Sequence, residues 1–332
     1  MKILILAPFD PAVLGQLNSV LEVTYESWME TRRLLSPQEF VDRIQGQGME
    51  IVIVEADFLP REVFEKAPNL RFLGVCRADM AHIDVAAATE HGVTVVNTPA
   101  RNAIAVAELT IGLMLSLVRH IPAAHTMVQC GGWNDPTAAY FNMRGTELWR
   151  KTMGIIGFGA IGQQVAKRLD AFDTSILAYD PYVSPERIKA LGVAPSGLDD
   201  LVQQSDFITV HCATTAETAC LLDARRIALM KPTAYLINAA SAYIVDEEAI
   251  VAALREKRIA GVACDVYRTW PVKPDNPLLK LDNVVLTPHI GGATEESVAR
   301  HSQMLADDVQ SFLRGKRPKN LVNAEVWKEG VP

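Results

Sequence analysis

The sequence predicts an α/β fold with two Rossmann-like domains, each built on a parallel β-sheet. Short apolar runs form two series along the 332 residues, one before position 100 and one after position 150. Several runs, such as 51–54 (IVIV), lack polar alternation, which is typical of strands buried on both faces of a parallel sheet. Amphipathic stretches such as 160–169 and 247–256 separate most runs, and this alternation favours parallel sheets covered by helices.

The order of these runs predicts two domains, the first of them discontinuous. Candidate strands lie at 3–6, 51–54, 72–75, 93–96, 153–156, 175–179, 207–211, 235–238, 261–265 and 284–287. A polar pair and a proline at 97–99 interrupt the pattern, and a last helix, 294–313, follows the final run. We therefore expect a substrate domain formed by 1–98 and 291–332, with a dinucleotide-binding domain, 99–290, inserted between its two segments.

Composition is that of a globular protein and narrows the expected partners. Apolar residues make up 49% of the chain and the net charge is −7, which argues against binding to nucleic acid or to an anionic membrane surface. The five cysteines lack the spacing of metal ligands, so we expect no metal site. The longest apolar run, 109–118, is shorter than a membrane span. We expect a cytoplasmic protein that acts on a small molecule.

A glycine-rich turn between a strand and a helix predicts a dinucleotide site. Gly157 permits a tight turn, Gly159 lets the backbone approach a pyrophosphate, and Gly162 lets the helix pack closely on the strand. The helix N-terminus then offers free N–H groups to the phosphates. Asp180 follows the next strand, where a carboxylate accepts hydrogen bonds from the adenosine ribose and repels a 2′-phosphate. NAD is therefore the expected cofactor, rather than NADP.

A series of motifs in one order resembles the D-isomer-specific 2-hydroxyacid dehydrogenase family. The motifs span nearly the whole chain and lie at 96–99 (VNTP), 102–108 (NAIAVAE), 154–162, 205–211, 236–238 (LIN), 245–249 (VDEEA), 261–266 and 286–294 (LTPHIGGAT). The resemblance implies a flavodoxin-like substrate domain with an inserted NAD-binding domain. It also implies hydride transfer between the nicotinamide ring and a small hydroxy or oxo acid.

The resemblance implies a catalytic histidine that exchanges a proton with the substrate oxygen. His289, between Pro288 and a Gly-Gly turn, matches this residue, and we expect it to face the crevice between the domains. Hydride addition builds negative charge on oxygen, which a nearby acid and a cation stabilise. Asp265 matches an aspartate near the nicotinamide carboxamide, and a role in capping the strand end is also consistent with its position. Further expected cofactor contacts are Ala160, Ile161, His211, Ala239 and Gly291.

Two catalytic positions depart from the family pattern. Ser241 stands where the family has an arginine that holds the substrate carboxylate and polarises the carbonyl. Trp270 stands where the family has the glutamate that pairs with the histidine. Serine supplies no cation, and tryptophan does not stabilise an imidazolium as a carboxylate does. We therefore expect a non-standard site that includes Ser241 and Trp270.

Other side chains are candidates to replace the missing groups, although each arginine is also consistent with a solvated or interface role. Arg268 lies in the loop of Trp270, and Arg77 lies in a loop that matches the family loop whose amides hold the substrate carboxylate. The full set is Arg77, Arg101, Arg144 and Arg268 as cations, Ala78 and Asp79 beside Arg77, and Asn102, Tyr243 and Trp270 as hydrogen-bonding or stacking groups.

Three functions are consistent with this pattern. The first is an NAD-dependent oxidoreductase for a small hydroxy or oxo acid, with His289 as acid and base. The second is another reaction on the same scaffold, with a sugar acid or a polyol derivative as substrate. The third is an NAD(H)-binding protein that acts as a redox-sensing interaction module, which the retention of His289 disfavours. We expect an oxidoreductase.

The segment from 103 to about 150 predicts a homodimer. The helix 103–119 and the arm that follows it resemble the dimerisation element of the family. The arm carries four large aromatic residues, Trp133, Tyr140, Phe141 and Trp149. Such residues favour a partner surface, and packing beneath the arm itself is the alternative.

Overall fold

The computed structural model describes residues 1–327, which form two units that we describe separately. Unit 1 comprises Met1–Arg101 and the chain from Thr294 onward, and unit 2 comprises Asn102–Ala293. The described strands are β1 (Lys2–Ile5), β2 (Glu22–Tyr25), β3 (Ile51–Val54), β4 (Phe72–Val75), β5 (Thr94–Asn97), β6 (Thr152–Ile156), β7 (Ser175–Tyr179), β8 (Ala194–Pro195), β9 (Phe207–Val210), β10 (Tyr235–Asn238), β11 (Gly261–Cys264) and β12 (Val284–Leu286).

Helices follow each of these strands along the chain except β11. They are α1 (Pro11–Asn18), α2 (Trp28–Thr31), α3 (Pro37–Gln47), α4 (Arg61–Lys66), α5 (Val85–Glu90), α6 (Ala103–Val118), α7 (Ile121–Gln129), α8 (Ala138–Asn142), α9 (Ala160–Leu169), α10 (Pro185–Lys189), α11 (Leu198–Gln204), α12 (Ala224–Leu229), α13 (Glu247–Arg255) and α14 (Glu295–Leu313).

Unit 1 is a five-stranded parallel sheet in the order β2-β1-β3-β4-β5. Every residue of β3 and β4 is buried, as expected for strands covered on both faces. The C-terminal helix α14 packs on one face, where a Cβ at Gly74 would lie 3.1 Å from Cδ2 of Leu305. The close approach of helix and strand therefore depends on glycine at that position.

Unit 2 is a seven-stranded parallel sheet in the order β12-β11-β10-β9-β6-β7-β8. Helix α6 is largely buried in its core and contacts α9. Within the described residues, no single helix is long and apolar enough to cross a membrane, although α6 and α7, bent by 64° at their junction, pass that test together. Because all strands are parallel, the loops after β6, β9, β10, β11 and β12 share one edge of the sheet.

The predicted fold class is confirmed, with two differences in the elements. The strands β2 and β8 lie at sheet edges and were not expected from the sequence. β2 (EVTY) has no fully buried residue and β8 has only two residues, so neither produces an apolar run.

Candidate active site

The glycine turn between β6 and α9 fits the pyrophosphate of a dinucleotide. Gly157 has φ of 91°, and a Cβ there would lie 2.4 Å from the main-chain nitrogen of Cys212. A Cβ at Gly162 would lie 2.2 Å from the carbonyl oxygen of Gly157, so only glycine permits this helix-strand packing. A Cβ at Gly159 would meet nothing within 4 Å, which leaves open space for a ligand beside the backbone. The tight turn at Gly157 and the close packing at Gly162 agree with the sequence prediction, and the pyrophosphate contact at Gly159 stays a prediction.

A cavity of about 390 Å³ adjoins this turn and has the size of a nucleoside site. Asp180 lines it, and its two oxygens accept hydrogen bonds from the main-chain N–H groups of Phe158 (2.7 Å) and Tyr182 (2.9 Å). The Tyr182 hydroxyl donates to Oε2 of Glu217 at 2.8 Å. The lining thus includes two carboxylates, Asp180 and Glu217, and no arginine or lysine among the described residues.

His211 lines the same cavity but contributes no charge. Burial lowers the pKa of its imidazole to about 3, so the ring is neutral at physiological pH. Its Nε2 lies 2.9 Å from Oγ1 of Thr209, and its main-chain N–H donates to the carbonyl of Ile156. His211 is therefore uncharged, and its contact with the cofactor stays a prediction.

The loop after β10 places Ser241 at the carboxyl edge of the unit 2 sheet. The Asn238 side chain holds this loop, because Nδ2 donates to the carbonyl of Ser241 (2.8 Å) and Oδ1 accepts from the main-chain N–H groups of Ala240 and Ser241. The Oγ of Ser241 accepts a hydrogen bond from Oγ1 of Thr214 at 2.7 Å. Ala239, an expected cofactor contact, lies in the same loop and is partly exposed.

Asp265 holds the turn that carries His289. Its carboxylate is buried and accepts hydrogen bonds from Oγ1 of Thr287 (2.6 Å) and from the main-chain N–H groups of Ile290 (2.9 Å) and Gly291 (2.8 Å). The backbone of His289 has φ of 58°, an uncommon conformation for a non-glycine residue. Asp265 thus holds the main chain after His289 and the Thr287 side chain before it, and both of its oxygens are occupied in doing so.

Trp270 packs against His289. The ring centroids are 5.1 Å apart and the planes are tilted by 48°. Within the part of the chain that the structure describes, no carboxylate lies within 4.0 Å of the His289 ring nitrogens. His289 therefore has an aromatic neighbour, and the replacement of a catalytic glutamate by Trp270 stays a prediction.

The candidate cations differ in how far they are already engaged. Within unit 1, Arg101 pairs with Glu55 (2.5 Å) and donates to Nδ1 of His301 (3.0 Å), so it is not free to bind substrate. Arg144 stacks over Tyr140 at 5.2 Å. The side chains of Arg77, in unit 1, and Arg268, in unit 2, make no hydrogen bond or ion pair with any residue in 1–327.

The remaining predicted residues are held by local contacts. The Ala78 carbonyl accepts from Nδ2 of Asn97 (2.9 Å), and Oδ1 of Asp79 accepts from the N–H of Ala81 (3.2 Å), both within unit 1. In unit 2, Nδ2 of Asn102 lies 3.1 Å from where a Cβ of Gly292 would be. Asn102 therefore packs against the turn that follows His289.

Three residues of the site were not expected from the sequence: Thr214, Tyr182 and Glu217. Each acts through a hydrogen bond to a residue that is remote along the chain, and no local pattern marks it. The only available signal was position, because Thr214 and Glu217 follow β9 and Tyr182 follows β7 at the edge where ligands bind in open α/β sheets.

Known proteins resemble this chain throughout its length. The family described as D-isomer specific 2-hydroxyacid dehydrogenase, NAD binding domain, matches residues 111–291. Glyoxylate reductase of Thermofilum pendens is 42% identical over 88% of this chain and 86% of its own length. D-3-phosphoglycerate dehydrogenase of Methanocaldococcus jannaschii is 39% identical over 97% of this chain, which spans 59% of that relative.

A solved structure agrees with these relatives. The apo-structure of D-lactate dehydrogenase from Escherichia coli superimposes with a TM-score of 0.81 and 27% identity, covering 97% of this chain and 100% of that one. The family that the motifs predict is thereby confirmed. The chain belongs to the D-isomer-specific 2-hydroxyacid dehydrogenase family and contains the family's NAD-binding domain.

Proposed function

We propose that the protein is an NAD(H)-dependent oxidoreductase for a small hydroxy or oxo acid or a related sugar acid, with His289 as acid and base. The observation that carries this proposal is the Asp265 network, which fixes His289 at the carboxyl edge of the sheet that bears the glycine turn. A turn held by three hydrogen bonds to one buried carboxylate keeps a side chain in place for proton transfer.

The proposed chemistry divides between the cofactor and the chain. When bound, the cofactor supplies or accepts a hydride at the reacting carbon. As the carbonyl carbon gains hydride, the carbonyl oxygen takes the proton of the His289 imidazolium, and the imidazole then regains a proton from solvent. In oxidation the neutral imidazole accepts the hydroxyl proton. Trp270 lies against one side of the His289 ring, and both side chains are exposed in the single chain.

Turnover tests this proposal directly. NADH oxidation is followed against a panel of 2-oxo acids and oxidised sugar acids, with wild type and His289→Ala side by side. We expect turnover that falls by about 10²–10⁴ in the variant, because a general acid contributes that much. NADH binding without turnover of any compound would instead favour a redox-sensing binding protein.

We propose that Arg77 or Arg268 binds the substrate carboxylate. Both guanidinium groups lack a partner within residues 1–327, whereas Arg101 is committed to Glu55 and His301. Arg77→Ala and Arg268→Ala are compared with Arg225→Ala, which removes an exposed arginine paired with Asp199. We expect at least one of the first two to raise KM about tenfold or more. Unchanged kcat/KM in both would contradict the assignment.

We propose that the cofactor is NAD rather than NADP. The charged side chains that residues 1–327 contribute to the cavity beside the glycine turn are Asp180 and Glu217, so the charged groups that a 2′-phosphate dianion would meet there are negative. NADH and NADPH affinities are measured by fluorescence for wild type, Asp180→Ser and the control Glu186→Gln. The expected result is weaker NADH and stronger NADPH binding in Asp180→Ser alone. Tighter NADPH than NADH binding in wild type would refute the preference.

We propose that the protein is a homodimer formed through the arm after α6. The aromatic residues of the arm are largely exposed in the single chain: Trp133 (56%), Tyr140 (70%), Phe141 (69%) and Trp149 (52%). Helix α7 has no buried residue either. Exposed large aromatic side chains concentrated in one segment favour a partner surface. Light scattering at micromolar concentration is expected to give twice the mass of one chain, and a monomer would refute the assignment.

A further inference from the structure

The Ser241 hydroxyl has one hydrogen left to donate. Its Oγ accepts one hydrogen bond from Oγ1 of Thr214 (2.7 Å) and one from the main-chain N–H of Tyr243 (3.3 Å). A serine hydroxyl has two acceptor lone pairs and one donor hydrogen. Both lone pairs are therefore used, and no atom of residues 1–327 accepts the hydrogen of Ser241.

The arrangement is held from two neighbouring strands. Ser241 follows β10 and Thr214 follows β9, which pair in parallel. Asn238 holds both the N–H and the carbonyl of Ser241, so the backbone position of this hydroxyl is fixed. The group lies at the carboxyl edge of an open α/β sheet, which is where such sheets bind their ligands.

We propose that Ser241 donates this hydrogen to an uncharged oxygen of the substrate and that Thr214 is the positioning residue that keeps Ser241 a donor. The inference rests on the proposed oxidoreductase function and narrows its substrate class. At Ser241 the substrate carries a hydroxyl group on the carbon next to the reacting carbonyl, in place of the carboxylate that an arginine would bind. A carboxylate, if present, is attached farther along the molecule.

An arginine and a serine hydroxyl differ in the kind of substrate oxygen that they bind well. An arginine gives a carboxylate two parallel charged hydrogen bonds, which offset the loss of its hydration. One neutral hydroxyl gives a single hydrogen bond and no charge, so a carboxylate at this point would be desolvated without compensation. A neutral oxygen loses less hydration and is matched by one donor.

A matched pair of ketones tests the inference. Hydroxypyruvate and dihydroxyacetone differ only by a carboxylate in place of a CH2OH group. Reduction by NADH, and quenching of NADH fluorescence in the protein–NADH complex, are measured for both ketones with wild type, Ser241→Ala, Ser241→Thr and Ser241→Arg. Ser184→Ala, which removes a serine cap from α10 in the same unit, is the control for loss of a cap alone.

The expected changes differ in size between the two ketones. Ser241→Ala lowers kcat/KM for dihydroxyacetone on the order of 10²-fold, as removal of a transition-state donor does, and changes that for hydroxypyruvate much less. Ser241→Thr retains the preference, because it keeps the hydroxyl. Ser241→Arg shifts the ratio toward hydroxypyruvate by about tenfold or more.

The positioning role of Thr214 is tested by a separate substitution. Thr214→Val removes the donor at nearly constant shape and frees the Ser241 hydroxyl to turn away. We expect kcat for dihydroxyacetone to fall about tenfold with KM little changed, and Thr214→Ser to restore it. A general loss of stability would affect both ketones equally.

The outcomes separate this inference from the proposed function. If Ser241→Ala affects both ketones equally or neither, in turnover and in binding, the inference is wrong even when turnover of another substrate supports the oxidoreductase. If dihydroxyacetone binds through Ser241 but nothing is reduced, the inference holds and the oxidoreductase is wrong.

Discussion

At the scale of single residues, Asp265 controls His289 through the backbone. The carboxylate accepts three hydrogen bonds from Thr287, Ile290 and Gly291 with two oxygens, and a Cβ at Gly291 would lie 3.0 Å from Oδ2. An amide has only one acceptor oxygen, so substitution by asparagine would leave a buried N–H group facing another donor. Such an unsatisfied group costs about 1–3 kcal/mol.

Asp265→Asn is therefore expected to lower kcat by about tenfold or more while NADH affinity changes less. Steady-state kinetics and NADH fluorescence measure the two quantities. Asp275→Asn, an exposed aspartate in the loop after Trp270, serves as the control. Equal kcat in wild type and Asp265→Asn would show that Asp265 does not position His289.

Residue identities were predictable where a motif marks them. The glycine turn, Asp180, Asp265 and His289 all follow strands in recognisable patterns. Thr214 and Glu217 were not predictable, because their hydrogen bonds join residues brought together only by folding. The ion pair and hydrogen bond of Arg101 were not predictable for the same reason, since its partners Glu55 and His301 are 46 and 200 positions away.

At the scale of elements, the β6–α9 turn contains one glycine that we expect to matter for binding alone and one that we expect to matter for stability as well. Gly159 has φ of −74° and open space around it, so alanine there fits the fold but projects toward the pyrophosphate. Gly162 has no room, because a Cβ would lie 2.2 Å from the carbonyl oxygen of Gly157.

We expect Gly159→Ala to weaken NADH binding about tenfold or more while the free energy of unfolding stays within about 0.5 kcal/mol of wild type. Gly162→Ala is expected to lose about 2 kcal/mol of stability as well as binding. Denaturant unfolding and NADH titration measure these effects. Gly159→Ala with unchanged NADH affinity would place the pyrophosphate elsewhere.

Elements were predictable where burial on both faces gives an uninterrupted apolar run, as in β3 (IVIV). The edge strands β2 and β8 lack such a run, because an edge strand exposes more of its residues. Helix α6 extends over Ala103–Val118, one residue short of the expected 103–119.

At the scale of the whole molecule, His301 of α14 connects the C-terminal part of unit 1 to its N-terminal part by hydrogen bonds. The ring donates from Nε2 to the carbonyl of Pro8 (2.8 Å) and accepts at Nδ1 from Arg101 (3.0 Å). A carbonyl only accepts and a guanidinium only donates, so this pattern requires a neutral imidazole. Burial, together with the nearby Arg101 charge, lowers the pKa of His301 to about 4.

The protein is therefore expected to lose stability as the pH falls from about 6.5, the ordinary pKa of histidine in an unfolded chain, toward 4. In that pH range His301 binds a proton in the unfolded chain and stays neutral in the folded one. The contribution of His301 between pH 7.5 and pH 5 is about 2 kcal/mol. Denaturant unfolding at both values checks it with His301→Gln and the control His91→Gln, an exposed histidine outside the arm. An identical pH dependence in wild type and His301→Gln would contradict the assignment.

The central claim is that hydride passes between the cofactor and a substrate carbon while His289 moves the proton. The most direct test uses NADH deuterated at C4 and the best oxo substrate of the panel, with product analysis by mass spectrometry. We predict one deuterium bound to the carbon of the former carbonyl in wild type, and a strongly reduced yield of the same product with His289→Ala. Tight NADH binding with no deuterium in any product would contradict the claim and indicate a cofactor-sensing protein.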